Sequence, residues 1–410
     1  MTIVEFFDKS PIYNVLSALL CRPERVIFLG KEKKKIERAI ERYRRVLEGR
    51  GIEIELLYRP VSKNALAGIT EVLETVLDRY DDVLFDLTGG SDLELVAVGI
   101  ISERHKGRVK THRFNIHTGQ IIDTDLDGEV CSACPFDMTV EENIIIHGGE
   151  PLHMDGSNVA EVDWVFDGEL CETVDLLWGV SCEYDELWNG ATSVLAALNR
   201  AMNDPMALRI SVEPSLVYSH LSRVKMSQSD FIGFMQRLSR LGIIRSFFFG
   251  AEVSFTYSSM AAKKCLSISG QILELRIAAR LEALTGEDGK PLYHSTRLGV
   301  TVDMSAEDSD REVRVINEID VITMKDAIPV FISCKNGQIP LDEFYKLNAV
   351  AEMLGSDNAK KVLIATGIEG GIKGEHIRAR AEAMGVRLIE NAHTVSTAEL
   401  DRILRSLWLN

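Results

Sequence analysis

The first 116 residues change hydrophobic period again and again, and this alternation constrains the fold more than any other feature. Thr2–Phe7 reads as a strand and Pro11–Leu20 as a helix. The pair repeats as Arg25–Leu29 with Glu32–Leu47, Ile52–Leu57 with Ala65–Asp78, and Val83–Leu87 with Asp92–Glu103. Val109–Ile116 is a further strand that turns at HTGQ (117–120) into Ile121–Thr124. Strands alternating with helices at this spacing predict a doubly wound parallel sheet. At 410 residues the chain is too long for one core, so two or three domains are expected.

Two junctions of this region lie at the carboxyl ends of strands, where open α/β sheets bind ligands. In FFDKSPIYN (6–14), Ser10 is placed to cap a helix and Pro11 to begin it. In DLTGGSDLEL (86–95), Gly89 and Gly90 let backbone N–H groups approach an anion at a helix N-terminus, and Thr88 and Ser91 can donate to phosphate or ribose. YRPVSKN (58–64) leaves a third strand on the same edge and brings Lys63 and Asn64. TGGS is neither GxGxxG nor a Walker loop, because it has no phosphate lysine. A tight turn with a good helix cap accounts for it equally well. Two such loops at one edge tip the reading toward a phosphate-bearing ligand.

The formal charge is −16, from 46 basic and 62 acidic residues, so nucleic-acid contact cannot rest on overall charge and must be local. The run KEKKKIERAIERYRRVLEGR (31–50) alternates sign at helical spacing, which is the pattern of a solvated helix face. There are 7 cysteines. Cys131 and Cys134 have CxxC spacing but no second CxxC or His pair to complete a zinc site. They read as reduced structural thiols, with a metal or a disulfide as alternatives. No N-terminal apolar signal and no run approaching a membrane span is present, so a cytoplasmic location is expected.

The middle of the chain is acidic and irregular from about 125 to 185, with turn signals at MDGSN (154–158) and FDG (166–168) and a connection at CSACP (131–135). Helical spacing returns at Glu186–Ala201. SQSDFIGFMQRLSRLGIIRSF (227–247) runs from a serine cap through a helix and Leu-Gly into a strand. That is the rhythm of a winged helix, and equally of a helical spacer or dimer element. Arg237, Arg240 and Arg245 are its nucleic-acid candidates, although such arginines are also common on surfaces.

The last third holds charges inside apolar runs. SISGQILELRIAARLEALTG (267–286) reads as a helix with Glu274 between apolar positions. Val315–Ile322 and Ile328–Lys335 read as strands joined by a turn at Asp326 and Ala327. Helix Leu341–Leu354, strand Lys361–Ala365, helix Glu375–Met384 and strand Val386–Ile389 follow, giving the order αββαβαβ. Glu318 and Asp320 share a strand face, as do Ser333 and Lys335. The turn places Asp320 opposite Ser333, with Lys335 as diagonal neighbour. Charge in such strands is costly unless it is paired or binds a metal. One reading is an ion pair of Asp320 with Lys335 at an exposed hairpin end. The other is a site in which carboxylates hold Mg²⁺ or Mn²⁺ and a lysine meets developing phosphorane charge.

This segment resembles the PD-(D/E)xK restriction-endonuclease-like fold. The family pattern is a helix glutamate, an aspartate, then Glu/Asp-x-Lys on the next strand, and the matches are Glu274, Asp320 and Ser333-Cys334-Lys335. Ser333 departs from the pattern, standing where the family has an acid. Glu318 on the face of Asp320, or the Cys334 carbonyl beside it, would compensate. The first third resembles a CRISPR-associated Rossmann fold (CARF) domain through DKSPIYN (8–14), FLGK (28–31) and DLTGGSDLEL (86–95). The order of parts is similar to that of the CARF nucleases, ancillary effectors of type III CRISPR systems.

The resemblance implies an α/β chain with a CARF-like sensor at 1–150, a winged-helix-like connector at 151–262 and a nuclease-like domain at 263–410. It implies a homodimer that binds a cyclic oligoadenylate, with cyclic tetra-adenylate as the expected ring. Ser10, Pro11, Asn14, Thr88, Gly89, Gly90 and Ser91 would line its pocket. It further implies Mn²⁺- or Mg²⁺-dependent cleavage of DNA or RNA through Glu274, Glu318, Asp320, Ser333 and Lys335, with the metal at Glu274, Asp320 and Cys334. The competing class is a ligand-sensing transcription regulator whose nuclease-like domain is silenced by Ser333. A third is a nucleotide-processing enzyme with TGGS as its active site.

Overall fold

All five residues of Thr2–Phe6 (β1) are buried, as a strand covered on both faces requires. The computed structural model describes residues 1–61, 65–125, 128–133, 136–152, 164–304, 316–368 and 370–409. From β1, helix α1 (Pro11–Cys21) leads to β2 (Arg25–Gly30), α2 (Lys33–Gly49) to β3 (Glu55–Pro60), α3 (Leu66–Arg79) to β4 (Val83–Asp86), and α4 (Asp92–Arg104) to β5 (Val109–Asn115). A hairpin at HTGQ then adds β6 (Gln120–Asp125) and β7 (Gly128–Ala133). The 7-stranded sheet has the order β3-β2-β1-β4-β5-β6-β7, parallel through β5 and antiparallel beyond it. The chain reverses direction of travel beside β1, so the crevice above β1 and β4 is the topological switch point. This is the doubly wound sheet that the alternation predicts. CSACP is not a plain connection: Cys131 lies in β7, opposite Ile122, where the edge of β6 offers unpaired backbone groups. Lys63, Asn64, Cys134 and MDGSN fall outside the described residues.

The chain next forms two short elements that periodicity does not announce, α5 (Val140–Ile146) and β8 (Glu150–Pro151). Thr139 and Glu142 form a reciprocal capping box that starts α5. Helix α6 (Gly168–Arg200) is twice the expected Glu186–Ala201, which forms only its second half. The two halves meet at a kink at Asp185, with φ 16° and ψ −90°. Then come β9 (Arg209–Val212), α7 (Pro214–Val224), α8 (Gln228–Arg240), β10 (Ile244–Phe249) and β11 (Val253–Tyr257). Strands β10-β11-β9 make a 3-stranded antiparallel sheet beside the two helices, the winged-helix arrangement. Ser227 caps α8 by accepting from Asp230 N–H at 3.1 Å. Arg237 is held by Glu183 at 2.7 and 2.6 Å, and Arg245 lies on β10 rather than on the helix.

The last part contains α9 (Met260–Cys265), α10 (Ile272–Ala283), β12 (Ser295–Asp303), β13 (Ile316–Lys325), β14 (Ile328–Lys335), α11 (Glu343–Gly355), β15 (Lys360–Ala365), α12 (Gly371–Ala383), β16 (Val386–Ile389) and α13 (Thr397–Leu404). The 6-stranded sheet runs β16-β15-β14-β13-β12-β8. Strand β12 is additional to the expected αββαβαβ order. Its sequence STRLGVTVD alternates Leu298, Val300 and Val302 and is rich in β-branched residues, a strand signature that the expected order left out. Along β14, residues 328–334 are buried and Lys335 is half-buried. Val321, Ile332 and Val362 pack into a core with α6 and α10, whereas Ile322, Phe331 and Leu363 pack against α11. The second core runs on without interruption to Ile3, Phe28 and Tyr43 of the first sheet's layer. Among the described residues, no helix is long and apolar enough to cross a membrane.

Candidate active site and ligand loops

The β13–β14 hairpin turns at Asp326, whose φ of 55° is a left-handed conformation that aspartate tolerates. Backbone pairing runs from Lys325↔Ile328 to Val321↔Ile332 and stops there. One step beyond, the side chain of Asp320 takes over from the ladder. Its Oδ2 accepts from Cys334 N–H at 2.7 Å, from Ser333 Oγ at 3.0 Å and from Lys335 Nζ at 3.2 Å. The predicted opposition of Asp320 and Ser333 is therefore present, and Lys335 is drawn in.

Asp320, Ser333 and Lys335 share the strand faces of Ile322 and Phe331, the side covered by α11. Helix α11 begins with Glu343, and this places a carboxylate over the same spot. Glu343 Oε1 lies 2.8 Å from Ser333 Oγ and 3.1 Å from Lys335 Nζ. Burial alone would lower the Lys335 pKa, but Asp320 and Glu343 outweigh it and raise it, so the ammonium stays charged. Glu343 is the residue that reading the sequence missed. An acid in the first turn of a helix reads as a dipole partner. The one available signal was that this helix directly follows the motif strand.

Glu274 sits in the first turn of α10 and, among the described residues, makes no hydrogen bond or ion pair. Burial pushes its carboxyl well above the usual range, and the charges of Asp320 and Glu318 push the same way. Glu318 itself is exposed, opposite Thr301 on β12, and touches none of the others. The Cys334 thiol is held protonated by burial and by the fields of Glu274 and Asp320, so a metal would find only its carbonyl. No ready-made cluster of three His, Cys, Asp or Glu groups exists among the described residues. The donor set nevertheless fits a hard divalent cation. Asp320 Oδ1 takes none of the three donors, and Glu274 is an unpartnered carboxylate in a negative field that a cation would relieve.

The raised pKa of Glu274 has a measurable consequence without metal. A folded-state pKa above the unfolded value makes a contribution that is full below the unfolded pKa and is lost as pH rises through the folded one. Metal-free protein should therefore lose stability as pH rises from the ordinary carboxylate range through the raised one. Glu274→Gln in EDTA should melt about 2–4 °C higher at pH 8 than the parent, with the gap closing toward pH 4. Melting curves across pH check this, and equal curves would refute it.

At the other sheet, the two predicted junctions meet. Asp8 links them: its Oδ1 accepts from Ser10 N–H at 2.9 Å and its Oδ2 from Gly90 N–H at 3.3 Å. Gly90 has φ 98°, and a Cβ there would stand 3.1 Å from Phe6 Cβ, so glycine is required on both counts. Pro11 begins α1 as expected. Asn14 is buried and bonds Asp8 and Tyr43, so it shapes the loop. Ser91 is engaged by Glu94 at 2.7 and 2.8 Å in a capping box, and Thr88 Oγ1 accepts from Phe114 N–H at 2.8 Å. Among the described residues, Ser10 Oγ is buried without a partner. Beneath the loop, Asp86 accepts from Thr88 N–H at 2.7 Å and from Ser17 Oγ, and Ser17 Oγ lies 2.9 Å from His112 Nε2. Burial lowers the His112 pKa, but Asp86 and Cys21 outweigh it and push it up to about 10.

The chain matches no protein-family model and no curated protein. Its fold is similar to solved structures along its whole length. Protein VC1899 from Vibrio cholerae superposes with a TM-score of 0.69 at 18% identity, over 100% of this chain and 96% of that one. Can2 from Sulfobacillus thermosulfidooxidans, solved with cyclic tetra-adenylate, gives 0.65 at 14% identity, over 98% and 97%. A type III CRISPR defence DNA nuclease activated by cyclic oligoadenylate gives 0.50 at 15% identity, over 90% of this chain and 46% of that one. A doubly wound parallel sheet joined through a helical middle to a C-terminal mixed sheet is thus the fold class of this chain. In particular its fold is similar to that of Can2 from end to end.

Proposed function

We propose that this chain is a cyclic-oligoadenylate-activated, metal-dependent nuclease of CRISPR defence, acting on DNA, RNA or both. The observation that carries the reading is the ion pair of Asp320 with Lys335 at the carboxyl end of β14, with Glu274 of α10 near enough to feel both charges, in a chain with a fold similar to that of Can2. Mg²⁺ or Mn²⁺ held by Asp320 and Glu274 would supply Lewis acidity and an acidified water. Lys335 keeps its ammonium charged beside them, placed to stabilise the charge that grows on a phosphodiester in the transition state. Asp320 in turn orients Lys335 and pins Cys334 N–H, which keeps the site rigid.

The activator reading rests on the Asp8-linked loops at the switch point and on Gly89, Gly90 and the α4 N-terminus. Leu95 and Val96 of α4 are 36% and 52% exposed just beyond that loop. A second copy covering them would bring two identical loops together over a two-fold cyclic ligand, which supports a homodimer. A transcription regulator is the second reading. It is favoured by Arg209, Thr256 and Arg245, which lie across from one another on the wing sheet with both arginines exposed. Incubation of plasmid, single-stranded DNA and RNA with Mn²⁺, with and without cyclic tetra-adenylate, separates the two. The nuclease reading expects cleavage that depends on both additions. Sequence-specific duplex binding without cleavage under any condition would overturn it in favour of the regulator.

A further inference from the structure

We propose that Glu343 is the second carboxylate of the nuclease site, taking in space the place that Ser333 leaves without an acid in sequence. The inference rests on the nuclease reading and names a residue that reading does not use. Ser333 Oγ stands between two carboxylates, 3.0 Å from Asp320 Oδ2 and 2.8 Å from Glu343 Oε1. A hydroxyl has one hydrogen and can donate to only one of them. The other contact sets oxygen lone pairs against each other, an arrangement relieved by a shared cation. Lys335 Nζ, at 3.2 Å from Asp320 and 3.1 Å from Glu343, is the only cation among the described residues that touches both. One ammonium cannot neutralise two carboxylates.

Chain geometry explains why the acid can come from here. Asp320, Ser333 and Lys335 line the face that α11 covers, and Phe344 and Leu347 of that helix are in its core. Seating those two residues forces Glu343, one residue ahead, onto the carboxyl end of β14. A glutamate at 333 would carry its carboxylate about as far beyond the position of Ser333 Oγ as Glu343 Oε1 stands from it. Ser333 then has a positive role: it is short enough to leave that space open, and its hydroxyl links the two acids.

The test uses the full-length chain and two readouts, Mn²⁺ binding by calorimetry without activator or nucleic acid, and activator-dependent cleavage. Glu343→Gln, which keeps shape, should weaken Mn²⁺ binding at least tenfold and cleavage about a hundredfold, with an unchanged melting profile in EDTA. Returning the acid to the strand while removing it from the helix, as Ser333→Glu with Glu343→Ser, should restore most of both. Parent-like Mn²⁺ binding by Glu343→Gln would overturn the inference, as would a double variant no better than Glu343→Gln alone. Parent protein that binds Mn²⁺ through Glu343 yet cleaves nothing would sink the nuclease reading and leave this assignment standing.

Discussion

Lys335→Ala is expected to lower activator-dependent cleavage by about a hundredfold or more, the size of loss seen when one preorganised charge is taken from a phosphoryl or oxyanion site. The ammonium is half-buried, held charged, and touches Asp320 and Glu343 together. Its removal leaves the two carboxylates facing each other across Ser333 alone. Activator binding should be unaffected, because nothing at the Asp8 and Gly90 loops touches Lys335. Lys335→Arg should recover little, since a planar fork cannot occupy the point between two carboxylates that an ammonium fills. Initial rates at saturating activator and Mn²⁺ measure the effect. A rate for Lys335→Ala within threefold of the parent would remove Lys335 from the chemistry.

Breaking the contact between the ligand loops and α11 should uncouple activation from catalysis. Helix α11 spans 13 residues, about 20 Å, with Glu343 at one end. At its other end the turn Ser356–Asn358 meets the loop that opens α1: Asn358 Nδ2 donates to Tyr13 Oη at 3.1 Å, and Lys9 Nζ lies 3.6 Å from Asp357. Tyr13 is in the first turn of α1, beside Pro11 and Ser10. A ligand that moves this loop therefore pushes on a rigid rod whose far end carries a carboxylate of the proposed site. Tyr13→Phe with Asn358→Ala should cut the ratio of activated to basal cleavage by about tenfold or more, within the usual range for one coupling contact. Basal cleavage should stay near the parent's. Because coupling is reciprocal in binding, whatever factor the variant takes from the activator's effect on nucleic-acid affinity it should also take from nucleic acid's effect on activator affinity. An unchanged stimulation ratio would show that the signal travels elsewhere.

Much of this was legible in local pattern. The βα alternation predicted the first sheet because a buried parallel strand needs an unbroken apolar run and its crossover helix needs an apolar stripe, and both survive in any context. The hairpin register followed from turn position alone, and it placed Asp320 against Ser333 as the side chains show. What escaped was structure supported by distant partners. Strand β8 is only two residues long and is defined by its pairing with the end of β12. The first half of α6 reads as irregular because its acidic residues face solvent while Leu170, Val174, Leu177 and Trp178 bury. The buried bonds of Asn14 to Asp8 and Tyr43, which fix the first loop, were equally invisible in local spacing.

By itself, then, the sequence determined the strand–helix order of the first sheet, the two loops at its carboxyl edge, and the placing of Asp320, Ser333 and Lys335 at one point of a ladder. Each depends on neighbours within a strand, a turn or a helix. Tertiary structure alone decided that Glu343 stands over that point and that Tyr13 holds the far end of the helix bearing it. These contacts join residues 10 and 345 apart across different layers. Such contacts are set by how α11 seats in a core shared by both sheets, and no local spacing records that.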